Sequence, residues 1–139
     1  MSSSVVQLHD GSRETILVVE PDLLVRAPLT EYLRQCGYRV FEAVHAEEAV
    51  SVLEHAKFTV HMILSAIDMP GSMNGFQLSQ WVRAHRPGVE VILAGTVQRA
   101  ANAAAELCED GPHLTKPYDP QIVVSRIKRS LAARERVKK

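Results

Sequence analysis

The chain has 139 residues, of which 46% are hydrophobic and 23% charged, and its formal net charge is zero. This length suits one domain with a proper core, and the composition is that of a globular protein. A neutral chain lacks the basic face that attracts phosphates, so we expect no nucleic-acid-binding role. No apolar run approaches the ~18 residues of a membrane span, and the first residues lack a secretory signal, so we expect a cytoplasmic protein with no membrane contact.

The two cysteines, Cys36 and Cys108, lack the spacing of metal ligands and fall near the ends of two predicted helices. In a reducing cytoplasm, free and partly buried thiols are expected at both positions. The six histidines are scattered, and none forms a metal-ligand pair on one helix face.

The first half of the chain begins with a polar, aperiodic stretch over residues 1–14, which predicts a flexible tail. Residues 15–19 form an uninterrupted β-branched run, typical of a central parallel strand covered on both faces. Asp22 is placed to cap a helix that Gly37 ends. Residues 38–43 then predict a strand nearer the sheet edge, because polar residues interrupt it.

The middle of the chain repeats this alternation. A second helix precedes a third strand that ends at Leu64 or Ser65, and a third helix ends at Pro87. Residues 89–94 predict a fourth strand, and the alanine-rich stretch over 99–107 predicts a fourth helix. The apolar faces of the second and third helices consist of Ala46, Ala49, Val50, Leu53, Leu78, Trp81 and Val82.

The last part predicts a short fifth strand over residues 111–115 and a final helix capped by Asp119 with Pro120 at its first position. Residues 134–139 are expected to be a basic C-terminal tail. Five strands alternating with five helices predict an α/β domain over residues 15–133, with a doubly wound parallel sheet. The side chains that face inward from the last helix are Val123, Ile127 and Leu131.

Ligands of such a sheet gather outside the carboxyl ends of its strands. Glu20, Ala66, Gly95 and Lys116 each follow a predicted strand, although they are far apart in the chain. The predicted topology alone therefore brings them together.

Three motifs carry a resemblance to a known family. They are Val-Val-Glu-Pro-Asp at residues 18–22, the Met-Pro-Gly…Gly loop at 69–75, and Leu-Thr-Lys-Pro at 114–117. In this order and spacing they resemble the receiver (CheY-like) domain of two-component response regulators, over residues 16–131. The resemblance implies a flavodoxin-like (βα)5 fold with strand order 2-1-3-4-5, and a signalling role rather than an enzymatic one.

In that family an aspartate at the end of the third strand accepts a phosphoryl group. Ala66 stands there in this chain, and a methyl group cannot attack phosphorus. Glu20 matches the first residue of the acidic pair, whereas Pro21 replaces the usual Mg²⁺-binding aspartate. Asp22 follows and is expected to cap the helix. Glu20 and Asp68 are the candidate metal ligands; no cofactor is required, and weakened Mg²⁺ binding stays open.

The remaining family positions are partly kept. Lys116 matches the lysine that pairs with the phosphoryl group, and Pro117 matches the proline after it. The hydroxyl position aligns with Gly95, although a shift of one residue would restore Thr96. His113 occupies the place of the aromatic switch residue, three positions before the lysine.

The sequence therefore favours a stand-alone pseudo-receiver that acts by protein–protein contact in a phosphorelay. A histidine kinase or another response regulator is the expected partner, and the face of helix 4, strand 5 and helix 5 a possible homodimer surface. One alternative is a receiver still phosphorylated weakly on a displaced acid, Asp68 or Glu20, with Mg²⁺. Another is a flavodoxin-like small-molecule-binding domain, although the acidic turn at residues 20–22 would repel a phosphate.

Overall fold

A computed structural model of the chain describes residues 14–110 and 119–138. Strands and helices alternate along it. The strands are β1 (Thr15–Val19), β2 (Arg39–Ala43), β3 (Met62–Ala66) and β4 (Glu90–Ala94). The helices are α1 (Leu23–Gln35), α2 (Ala46–His55), α3 (Gly75–His85), α4 (Val97–Asp110) and α5 (Pro120–Lys138).

The four described strands form one parallel sheet in the order β2-β1-β3-β4. This confirms the predicted α/β class and the order of the first four strands, with β2 at an edge. The predicted fifth strand at residues 111–115 lies outside the described residues. None of the described helices is long and apolar enough to cross a membrane.

Two apolar layers cover the sheet, and the alternation of side chains along β1 supplies both. Ile16 and Val18 belong to the layer that contains α1, α4 and α5. Leu17 and Val19 belong to the opposite layer, with α2 and α3. All five residues of β1 are at most 1% exposed. A strand covered on both faces needs no polar residue, which explains the uninterrupted apolar run.

The helix starts follow the capping signals of the sequence. The Asp22 carboxylate accepts a hydrogen bond from the backbone N–H of Leu24 at 2.9 Å and begins α1, as predicted. Asn74 and Gln77 form a reciprocal capping box at the start of α3. Two elements were predicted too short. β3 continues to Ala66, which is opposite Ala94 of β4, and α4 begins at residue 97 rather than 99.

The last helix, α5, runs antiparallel to α1. Arg126, near its start, contacts Glu31 of α1 at 2.7 Å, whereas Arg134, near its end, contacts Asp22 at 3.1 Å. A strictly repeated β/α pattern would make these two helices parallel. The residues from Arg134 that were expected to form a tail continue the helix through position 138. The carboxyl end of α5 therefore returns to the edge of the sheet where β1 ends.

The prediction of free thiols was wrong, because Cys36 and Cys108 form a disulfide. Both cysteines have no exposed surface, and their Cα atoms are 5.4 Å apart, within the range that a disulfide bridges. Cys36 follows α1, and Cys108 lies in the last turn of α4. The sequence separation of 72 residues hid the pair, since only the packing of α1 beside α4 brings the helix ends together.

This cross-link predicts a loss of stability on reduction. Opening a closed loop of this length costs roughly 4 kcal/mol of the free energy of unfolding, because the unfolded chain regains its freedom. Urea unfolding with and without dithiothreitol measures the difference and introduces no new side chain. Identical unfolding midpoints in the two conditions would show that the bond contributes nothing.

Candidate functional site

A cavity of about 230 Å³ lies at the carboxyl ends of β1, β3 and β4. The topology brings Glu20, Ala66 and Gly95 together at these strand ends, as the sequence predicted. The polar residues that line the cavity are Glu20, Asp22, Ser65, Asp68 and Thr96, and the small ones are Ala66, Ala94, Gly95 and Ala100.

Ala66 ends β3 and contributes only a methyl group to the cavity. The loop that follows closes tightly above it, because the backbone N–H of Gly75 donates to the Ile67 carbonyl oxygen at 2.8 Å. A Cβ atom at position 75 would lie 2.3 Å from the Ala66 carbonyl oxygen, which no real side chain tolerates. Gly75 is therefore required for this close approach, and it fixes where β3 ends relative to α3.

Glu20 follows β1 and is half-buried in the cavity wall. Its carboxylate accepts a hydrogen bond from the Asp22 backbone N–H at 2.8 Å, and its carbonyl oxygen accepts one from the Arg26 guanidinium at 2.7 Å. Burial raises the pKa of the Glu20 carboxyl above its ordinary value. The hydrogen bond from the Asp22 backbone and the charge of Arg26 lower this pKa, whereas the charge of Asp22 raises it further.

The Asp22 carboxylate has two partners within the chain, the start of α1 and Arg134. Besides capping α1, its two carboxylate oxygens accept hydrogen bonds from the Arg134 guanidinium at 3.2 and 3.1 Å. Arg134 is the site residue that the sequence did not reveal, since its position follows from the antiparallel course of α5. The Arg134–Asp22 pair, with side chains 43% and 30% exposed, is an open ion pair that water screens.

The other predicted residues differ in their surroundings. Asp68 is exposed at the rim of the cavity, as a solvated loop acid would be. Gly95 and Thr96 both line the cavity, and the Thr96 hydroxyl accepts a hydrogen bond from the Arg99 backbone N–H at 3.1 Å. That bond satisfies a free N–H group in the first turn of α4. The predicted residues Lys116, Pro117 and His113 lie outside the described residues.

The loop beside the site is held by Glu47 of α2, a contact for which the sequence offered no signal. Both the backbone N–H and the hydroxyl of Ser72 donate to one Glu47 carboxylate oxygen. These hydrogen bonds lower the pKa of Glu47 to about 2. Gly71, next to Ser72, has a φ of +103°, and a Cβ there would lie 2.6 Å from the same carboxylate.

A comparison with protein-family models adds the deciding observation. The model described as the response regulator receiver domain matches residues 16–128. The chain belongs to this family. It is therefore a receiver domain of the two-component response regulators.

Curated relatives of this receiver are longer proteins. The response regulator protein FleR of Pseudomonas aeruginosa is 31% identical over 117 residues, which cover 82% of this chain and 24% of FleR. The transcriptional regulatory protein ResD of Bacillus subtilis is 28% identical over 120 residues, covering 86% of this chain and 49% of ResD. The chain thus spans a quarter to a half of the length of these relatives.

Solved structures agree on the fold. The receiver domain of an HD-domain-containing protein from Pseudomonas fluorescens has a TM-score of 0.56 and 24% identity, covering 88% of this chain and 98% of that one. A CheY-like receiver domain from Methanospirillum hungatei has a TM-score of 0.56 and 23% identity, covering 89% and 98% of the two chains. At these identities the likeness shows the fold.

Glu20 and Asp68, the candidate ligands for a divalent cation, both line the cavity. Within residues 14–110 and 119–138, no cluster of three histidine, cysteine or acidic side chains could hold a metal ion. Mg²⁺ demands near-octahedral oxygen ligands. Pro21 and Ala66 have no carboxylate to offer, and the Asp22 carboxylate is already engaged by Arg134.

The raised pKa of Glu20 predicts a pH-dependent effect of Glu20→Gln. The folded receiver favours the protonated carboxyl, so the contribution of Glu20 to stability is present below its ordinary pKa of 4.5 and is lost as the pH rises through the higher folded value. Glutamine mimics the protonated form. We expect the variant to have a higher melting temperature than the wild type at pH 7 and an equal one near pH 4.

Thermal unfolding followed by circular dichroism over this pH range measures the effect. Glu54→Gln on the exposed surface of α2 is the matched control, which we expect to follow the wild-type curve. If Glu20→Gln lowers the melting temperature at pH 7, the charged carboxylate is stabilising and the assigned balance of burial and hydrogen bonding is wrong.

Proposed function

We propose that this receiver is a pseudo-receiver, which signals by protein–protein contact without being phosphorylated. The observation that carries the proposal is Ala66, which ends β3 and lines the cavity at the strand ends. Phosphoryl transfer within the family needs a carboxylate nucleophile at this point. The rest of the catalysis comes from positioning and electrostatics, so the loss of charged side chains from the site greatly slows phosphoryl transfer.

The state of the remaining acids supports the same function. Glu20 accepts a backbone hydrogen bond and has a raised pKa, which favours the neutral form. Asp22 caps α1 and contacts Arg134. Both side chains thus have partners within the chain, and neither is a free ligand for Mg²⁺ with a phosphoryl donor. The domain is in this view a non-enzymatic binding module.

The expected partner is a protein, in the cytoplasm, and not a nucleic acid. This chain is similar to a chain of the solved complex between histidine kinase ThkA and response regulator protein TrrA. The TM-score is 0.54 and the identity 26%, and the match covers 60% of this chain and 69% of that one. It supports a kinase or another regulator as partner. Leu23 and Phe76, 57% and 54% exposed at the starts of α1 and α3, offer apolar contact area beside the site. A homodimer through α4, the predicted fifth strand and α5 is proposed as well.

Incubation with acetyl phosphate and Mg²⁺ tests the inactivity directly. We expect the intact mass of the wild-type chain to remain unchanged, since the described site holds no carboxylate at position 66. A receiver with an intact acidic site, treated in parallel, must gain one phosphoryl group. An adduct on the wild type that Asp68→Asn abolishes would replace the proposal by phosphorylation on a displaced acid.

Restoring the missing carboxylates gives the reverse experiment. Ala66→Asp alone should yield a slow and partial adduct, because Pro21 still supplies no ligand for the metal. Ala66→Asp combined with Pro21→Asp should react at least about tenfold faster, as expected for one added charged group at a phosphoryl-transfer site. The time course of the mass increase measures both rates. Equal rates would show that Pro21 does not limit the site.

A further inference from the structure

The disulfide joins the ends of two helices at the edge of the sheet opposite the site. Cys36 follows the last turn of α1, and Cys108 lies in the last turn of α4. The other end of α4 lies at the site, where Val97 and Ala100 line the cavity next to Thr96. A single helix therefore connects the cross-link with the site, over 14 residues.

Apart from the disulfide, α4 is held on the core mainly by small side chains. Its buried face is made mostly of alanines, namely Ala100, Ala101 and Ala104, and an alanine buries only one methyl group. Leu107 is the one large apolar side chain among the buried residues of α4. A hydrogen bond holds the same end of α4, where the Tyr38 hydroxyl donates to the Leu107 carbonyl oxygen. Both this hydrogen bond and the disulfide require the end of α4 to stay packed beside the end of α1.

The cross-link is also close to an opening. A cavity of about 460 Å³ is lined by Tyr38 and Leu107, which lie two residues and one residue from the cysteines in sequence. The sulfur atoms are buried, so a reductant reaches them when this end of α4 opens locally.

We propose that Cys36 and Cys108 form a reversible thiol–disulfide site that controls whether the carboxyl-terminal half of α4 stays on α1. A thiolate of a dithiol reductant attacks one cysteine sulfur, so that a mixed disulfide forms and the other cysteine leaves as a thiolate. The second thiolate of the reductant then attacks the reductant sulfur of the mixed disulfide and releases the first cysteine as a thiolate. The two cysteines take up two electrons and two protons and become thiols. The reductant leaves as its own cyclic disulfide, and glutathione disulfide reverses the change.

This inference stands apart from the lack of phosphorylation, because it uses neither Ala66 nor the acidic residues. It does rest on the proposed cytoplasmic location, because disulfides in cytosolic proteins of mesophiles are mostly transient, catalytic or redox-sensing. Reduction releases the carboxyl-terminal half of α4 from α1, whereas oxidation restores this packing.

Hydrogen–deuterium exchange of the full chain, oxidised or treated with dithiothreitol, tests the proposal. We expect amides at residues 104–110 to accelerate on reduction by at least about tenfold more than the slowest amides of β1 and β3. Adding glutathione disulfide after removal of dithiothreitol should restore the slow exchange. An equal acceleration of all segments would mean that the bond only restricts the unfolded chain, and the proposal would fall.

A double variant, Cys36→Ala with Cys108→Ala, supplies the control. Alanine leaves no buried hydroxyl without a partner, and we expect exchange in α4 to match that of the reduced wild type, with no response to dithiothreitol. Slow exchange in this variant, equal to that of the oxidised protein, would contradict the proposal. If the variant does not fold, the comparison of oxidised and reduced wild type decides alone. Failure to reoxidise with glutathione disulfide would likewise overturn it.

Discussion

The burial of β1 between two apolar layers is the constraint on which the rest of the structure depends. Its side chains alternate between the layers, so that α1, α4 and α5 pack on one face and α2 and α3 on the other. Because β2 and β3 both pair with β1 in parallel, the strands end at one edge. Glu20 and Ala66 meet there as a consequence of packing, whatever chemistry the site retains.

At that edge the charges of the domain are balanced within the chain. Glu20 is partly desolvated, and its backbone and Asp22 are held by arginines from α1 and α5. In a phosphorylatable receiver, a divalent cation would shield such acids from the phosphoryl group. Here a guanidinium on the last helix contacts one of them, in an exposed pair that is worth little by itself. An arginine of the last helix thus lies beside the acidic residues that follow β1.

Local patterns allowed much of this fold to be predicted, and non-local contacts account for what was missed. The caps at Asp22 and the apolar run of β1 act within a few residues, so spacing alone reveals them. The disulfide depends on α1 packing beside α4, and Arg134 reaches the site because α5 runs antiparallel to α1. Neither the separation of the cysteines nor the basic end of the chain contains that information. The identity of Ala66 was visible in the sequence, but the close approach of Gly75 to it was not.

Both possible inputs to this domain act on α4, from opposite ends. A phosphoryl group at the strand ends would bias the helix through Thr96, whose hydroxyl caps it, whereas the disulfide holds its far end through Cys108. A ligand or a bond shifts a conformational equilibrium only by the difference in free energy that it makes between the two states. In the proposed pseudo-receiver the first of these inputs is absent, and the disulfide at the far end of α4 is the one that remains.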